Sequence, residues 1–145
     1  DNKYHLFYRA VGDDWISRIG YAVSKDGENF KRFDKPLLFP KIDLEKRGIE
    51  DPRISKVNDK YFLTFTAYDG NAARLNFAVS QDLKIWKKNG EMMVDLNSEK
   101  AGAFHIKWDS ARNNEIAKKH WSKVGGIFSE IINNKYYLRL LNNNK

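Results

Sequence analysis

The segment Gly48-Ile49-Glu50-Asp51-Pro52-Arg53 sets two adjacent carboxylates beside a rigid proline and an arginine. A carboxylic acid that stays protonated near neutral pH can donate its proton to a leaving group. Burial and a like charge at Glu50 favour the neutral form of Asp51, while Arg53 opposes it. Pro52 biases Asp51 toward extended backbone, which would fix the direction of its side chain. Successive side chains of an extended segment point oppositely, so Glu50 and Asp51 are expected to take different roles. One would face a substrate and the other would brace the backbone or an arginine. As a bare pattern, an acidic pair beside a proline also fits an ordinary loop.

Composition removes several other chemistries. The chain has no Cys, which excludes disulfides, thiolate catalysis and Cys-ligated metal sites. Its three His (His5, His105, His120) are too widely spaced to form a metal-ligand signature, and no metal is expected. The net charge is +7, but 18 of the 26 basic residues are Lys, scattered beside 19 acids. That pattern reads as a solvated surface. No basic face interleaves with aromatics, so nucleic acid is not an expected partner. No apolar run approaches the ~20 residues of a transmembrane helix, and no membrane partner is expected. A cytoplasmic location is the expectation, although the chain starts at Asp1 rather than Met and a signal peptide could have been lost with the native start.

The elements that must position the acidic pair are visible as a repeat. Lys3-Tyr4-His5-Leu6-Phe7-Tyr8 returns as Lys60-Tyr61-Phe62-Leu63-Thr64-Phe65, 57 positions on. Tyr21-Ala22-Val23-Ser24-Lys25-Asp26 returns as Phe77-Ala78-Val79-Ser80-Gln81-Asp82, 56 positions on. Phe30 matches Trp86 at the same offset, and a third start stands at Lys135-Tyr136-Tyr137-Leu138. Each unit reads as antiparallel strands, rich in aromatic and β-branched residues and closed by turn residues. In the second unit the strands are expected at Arg53 to Val57, Tyr61 to Tyr68, Leu75 to Ser80 and a short Ile85-Trp86. Residues 4 to 33 would be three strands of the same unit, and 127 to 141 the start of a third. Repeated four-stranded sheets predict an all-β chain of the β-propeller kind. One partial domain is expected: a blade at 1–40, a blade at 50–90 and the start of a third at 100–145, about two and a half blades in all. The chain thus reads as a fragment, or as part of something that completes the ring. Residues 109 to 120 break the pattern and are expected to form a short helix, with Glu115 and Lys119 at i,i+4 spacing. The repeat accounts for Trp86 as blade core, and for Asp26 and Asp82 as turn residues.

With those elements in place, several ordered motifs resemble glycoside hydrolase family 130. They are Leu6-Phe7-Tyr8-Arg9-Ala10-Val11, Ser17-Arg18-Ile19-Gly20, Gly48 to Ile54 and Thr64-Phe65-Thr66-Ala67-Tyr68-Asp69. The match is weaker at Lys123 to Phe128 and at Asn134 to Tyr137. The resemblance implies a five-bladed propeller and an inverting enzyme acting on β-mannosides, most described members being phosphorylases. A full member is about twice this length.

The resemblance assigns Asp51 as the general acid, protonating the glycosidic oxygen through a sugar hydroxyl. Glu50, Asp69 and Trp108 are the residues expected at the substrate, though packing under the helix accounts better for Trp108 and Trp121 than stacking on a sugar. In phosphorolysis phosphate is itself the nucleophile, and cations must hold it. Arg18, Arg53, Arg112 and Lys123 are the candidates, with Arg9 and Arg74 as further ones that ordinary strand-edge exposure would also explain. In a hydrolase a carboxylate would activate water instead, and Glu115 is the acid in the divergent stretch with that role open to it. No cofactor is implied beyond inorganic phosphate as cosubstrate. The partners are a β-mannoside oligosaccharide and phosphate, and a homo-oligomer or the remainder of the chain would complete the ring. A non-catalytic sugar-binding propeller fragment is the remaining alternative. An arabinanase-like enzyme with three carboxylates on separate blades fits the Glu50-Asp51 doublet poorly.

Overall fold

The computed structural model describes residues 2–92, together with the backbone of two strands at 126–132 and 135–141. Nine strands follow in chain order: β1 Tyr4–Val11, β2 Ser17–Ser24, β3 Lys31–Arg32, β4 Gly48–Val57, β5 Lys60–Tyr68, β6 Ala73–Ser80, β7 Lys87–Glu91, β8 Gly126–Ile132 and β9 Lys135–Leu141. The helical element among the described residues is one 3-10 turn at Asp43–Glu45. The described residues are therefore all-β, as their aromatic and β-branched runs separated by turn residues dictate.

Strands β4 to β7 form a four-stranded antiparallel meander, and β1 to β3 form its three-stranded counterpart. The two share one register. Tyr4 pairs with Ser24 and Leu6 with Ala22, just as Tyr61 pairs with Ser80 and Leu63 with Ala78. The extra residue of the 57-position offset lies in the β1–β2 loop and leaves the ladder untouched. The far turns match as well. Asp26 Oδ1 accepts the amides of Glu28 and Asn29 at 2.9 and 2.8 Å, and Asp82 Oδ1 accepts those of Lys84 and Ile85 at 2.9 and 2.8 Å. Two expectations are corrected here. The last strand of the second meander is Lys87–Glu91, because Asp82 captures the amides of Lys84 and Ile85 and keeps that stretch a turn. The strand expected to start at Arg53 starts at Gly48, so the acidic motif lies inside it. β8 and β9 pair antiparallel where a third unit was expected, with β8 close to β4. The helix expected at 109–120 lies outside the described residues.

The core lies between the two meanders. Ile19, Leu38, Ile49, Leu63, Phe65, Ala67 and Ala78 are buried together, with Phe7, Ile54 and Trp86 packed on them. Leu63, Phe65 and Ala67 are alternate residues of β5 and so share one face. Trp86 is partly buried and packs on the core, meeting Phe7 edge-on at 6.1 Å. Each buried large aliphatic here is worth about 2–5 kcal/mol against truncation to Ala.

The connection between the meanders is pinned at both ends. The Leu37 amide donates to the Ile19 carbonyl at 2.8 Å. Further on, Glu45 is buried, accepting the Lys41 amide at 2.8 Å and the Lys88 ammonium at 2.6 Å. Lys88 also donates to the Phe39 carbonyl at 2.8 Å. A buried carboxylate needs such partners, and these fasten the connection to β7.

Candidate active site

Gly48 and Glu50–Asp51 stand at one end of the sheet, beside the β1–β2 and β5–β6 loops. Gly48 pairs with Tyr68 at the end of β5 and makes the parallel bridge to Ser17 at the start of β2. Its φ of +129° and the close Ser17 backbone leave no room for a Cβ, which is why a glycine occupies the crossing. The Arg47 amide, next in line, donates to the Tyr68 carbonyl at 2.9 Å.

From Gly48 the strand runs through Ile49, in the core, to the acidic pair. Glu50 pairs with Thr66 and Arg53 with Thr64, so Asp51 and Pro52 together oppose Phe65 in a β-bulge. Asp51 takes φ +56°, a left-handed conformation that Asp tolerates better than most residues. The expectation of an extended Asp51 is thus corrected: the bulge overrides the local bias imposed by Pro52. Pro52 suits the bulge, since it has no N–H to miss from the ladder.

The pair is divided between different partners. Glu50, 8% exposed, forms an ion pair with Arg9 at 2.5 Å across from β1. Asp51 is half-buried and accepts from the hydroxyl of the buried Thr66 at 3.5 Å. One carboxylate is braced by an arginine and its neighbour stands at the distortion.

Each adjoining loop carries a carboxylate–arginine brace. In the β1–β2 loop Arg18 donates two guanidinium bonds to Asp14, at 2.9 and 2.5 Å, and a third to the Ile16 carbonyl at 2.8 Å. The Arg18 fork, with help from the Ile16 amide, holds the Asp14 carboxyl down at about 2. In the β5–β6 loop Asp69 Oδ1 accepts the amides of Asn71 and Ala72, both at 2.7 Å, and Oδ2 accepts from Arg74 at 2.7 Å. Burial pushes the Asp69 pKa up, but the Ala72 amide, Arg74 and the Asn71 amide outweigh it and hold it at about 2.

Of the residues singled out from the sequence, the structure brings Glu50, Asp51 and Asp69 to this end of the sheet, with Arg18 at the start of the neighbouring β2. Arg18 is committed to Asp14. Arg53 is exposed, its guanidinium on the Pro52 carbonyl at 3.0 Å. Glu115, Trp108, Arg112 and Lys123 lie outside the described residues. Sequence reasoning did not connect Arg9 to Glu50, 41 positions apart, and no local spacing signals that pair. The loop braces did leave a signal: Arg18 and Arg74 are 56 positions apart, each with an Asp a few residues upstream.

The model of the family Glyco_hydro_130, described as beta-1,4-mannooligosaccharide phosphorylase, matches residues 2–140. A beta-1,2-mannobiose phosphorylase of Thermoanaerobacter sp. (strain X514) is 40% identical over 116 residues, 69% of this chain and 38% of that protein. A 1,2-beta-oligomannan phosphorylase of the same strain is 38% identical over 106 residues, 66% of this chain and 36% of that protein. The chain therefore spans under two fifths of the length of these relatives. Among solved structures, a glycosyl hydrolase from Bacteroides ovatus is similar with a TM-score of 0.68 and 27% identity, over 94% of this chain and 37% of that one. Another, described by the words "The GH130 family of mannoside phosphorylases contains glycoside hydrolases that target beta-1,2 mannosidic linkages in Candida mannan", has a TM-score of 0.67 and 30% identity, over 96% of this chain and 38% of that one.

Proposed function

Because the chain belongs to glycoside hydrolase family 130, we propose that it forms part of a propeller enzyme that cleaves β-mannosidic bonds with inversion, by phosphorolysis. One observation carries the reading: Asp51 sits half-buried on a left-handed bulge while its neighbour Glu50 is held by Arg9. An acid so placed is directed by backbone geometry. Its adjacent carboxylate is charge-compensated and need not share its role.

In the proposed reaction a phosphate oxygen forms a bond to the anomeric carbon from the α face. The glycosidic C–O bond breaks on the β face. The proton of Asp51 passes by way of a sugar hydroxyl to the leaving oxygen. Inversion of a β-mannoside yields α-mannose 1-phosphate and a shortened sugar. Arg18, Arg53, Arg112 and Lys123 remain the proposed phosphate ligands, and Asp69 and Trp108 proposed substrate contacts. For Arg18 to serve, phosphate must compete with Asp14 for its fork. The names of both Thermoanaerobacter relatives favour a 1,2-linked substrate.

The test is to incubate the intact enzyme with β-1,2- and β-1,4-mannobiose, with and without phosphate. Phosphate-dependent α-mannose 1-phosphate from the 1,2-linked sugar is the expected result. The likeness to the solved structure whose description names hydrolases favours a second reading, hydrolysis with Glu115 as base. Free mannose released without phosphate, and lost in Glu115→Gln, would replace the first reading by this one. In that case the Glu115 and Asp51 carboxyls should stand ~6.5–9.5 Å apart.

A further inference from the structure

Trp15 is 87% exposed, the most exposed large hydrophobic among the described residues. It also takes φ +58°, a left-handed backbone that a bulky residue rarely adopts. Nothing in the site described so far uses it. It stands at the tip of the β1–β2 loop, and that loop is held firmly. The Trp15 amide donates to the Gly12 carbonyl at 3.0 Å. Asp14 accepts the Ile16 amide at 3.1 Å and both guanidinium bonds of Arg18.

The repeat supplies an internal control. The β5–β6 loop does the same structural work, an Asp braced by an Arg and by loop amides, with one residue fewer and no aromatic. Its left-handed position falls on Gly70, φ +100°, where such backbone carries no steric penalty. The turn therefore requires neither a tryptophan nor a side chain at that conformation. In the first loop the position after the braced Asp carries a strained, solvent-facing indole instead, displayed on the same end of the sheet as Glu50 and Asp51.

We propose that Trp15 is a stacking platform for a pyranose ring of the oligosaccharide, outside the bond being cleaved. This rests on the function proposed above. A flat apolar ring carried on a braced loop, next in sequence to Asp14 and three residues from Arg18, matches a sugar: C–H groups on one face and hydroxyls around the rim. The platform selects for chain length. A disaccharide spans the scissile bond alone, whereas a longer chain reaches the loop.

The experiment compares intact wild-type and Trp15→Ala enzyme on β-mannobiose and on the corresponding tri- and tetrasaccharides. The ratio of kcat/KM for tetrasaccharide over disaccharide should fall about tenfold in the variant, the worth of one aromatic contact. Trp15→Phe should restore part of it. Equilibrium titration of the tetrasaccharide gives a readout independent of turnover and should show the same loss. Equal effects at every chain length, or none, overturn the inference while leaving the proposed function standing. A wild-type enzyme that neither binds nor cleaves any β-mannoside overturns the function instead. Concentration-dependent self-association that Trp15→Ala abolishes, with an unchanged chain-length profile, would assign the indole to a protein contact and likewise overturn the inference.

Discussion

Arg9 of β1 reaches Glu50 of β4 at 2.5 Å, tying the first meander to the residue next to Asp51. The guanidinium is about half exposed and the carboxylate is buried, so removing the arginine harms Glu50 more than itself. Arg9→Ala should destabilise the protein by about 1–3 kcal/mol. It should also lower kcat/KM, because Glu50 directly precedes the bulge that carries Asp51 and loses the charge opposite it. Adding Glu50→Gln should recover part of the stability, which thermal denaturation of the four members of the cycle would measure.

Asp51→Asn keeps the shape of the side chain and removes its proton. Turnover of the intact enzyme should fall by ~10²–10⁴-fold, the usual worth of general acid–base catalysis. The circular dichroism spectrum and melting temperature should change little. Near-full activity in this variant would dismiss Asp51 as the acid and make Glu50 the next residue to test.

Gly48→Ala places a Cβ at φ +129° and 2.8 Å from the Ser17 amide nitrogen. Neither backbone can yield easily, since this is the bridge between β2 and β4. A loss of about 2 kcal/mol or more is expected, read by chemical denaturation. Activity should fall further than in an equally destabilised core variant, because Glu50 and Asp51 follow directly.

Asp69 gives a prediction in pH. Its folded-state pKa of about 2 lies below the ordinary 3.8. A depressed acid contributes stability that is complete above the ordinary value and is lost as pH falls through the folded one. Denaturation midpoints should therefore drop between pH 4 and 2, and Asp69→Asn should flatten that drop while lowering stability at pH 7. An unchanged pH profile in the variant would contradict the Arg74 and loop-amide brace.

Much of the fold was legible because it is repetitive. The offsets of 57 and 56 positions predict which residues pair, and the register of β1–β2 against β5–β6 obeys them residue by residue. The acidic motif was legible as a candidate site, but its conformation was not. A pre-proline bias predicts extended backbone at Asp51, and only the pairing of β4 with β5 reveals that one residue there is surplus. Arg9–Glu50 escaped notice for a similar reason, since it joins β1 to β4 across 36 intervening residues that include β2, β3 and the pinned link. The length of β7 was misjudged from Ile85-Trp86, apolar residues that look like a strand but whose backbone Asp82 claims.

The bulge has a further effect along β4. Ile49 faces the core from an odd position and Ile54 from an even one. A regular strand, alternating strictly, could not present both to the same side. The surplus residue at Asp51–Pro52 resets the phase, so β4 behaves as two half-strands of opposite parity joined at the acid. Deleting one residue between Glu50 and Arg53 would remove the bulge yet leave Ile54 opposite Leu63 on the core side, whereas pairing the full segment as a regular strand would turn Ile54 out of the core. The same irregularity that aims Asp51 thus absorbs one surplus residue of β4, and a single deletion there should cost the acid its conformation while sparing the register of the second meander.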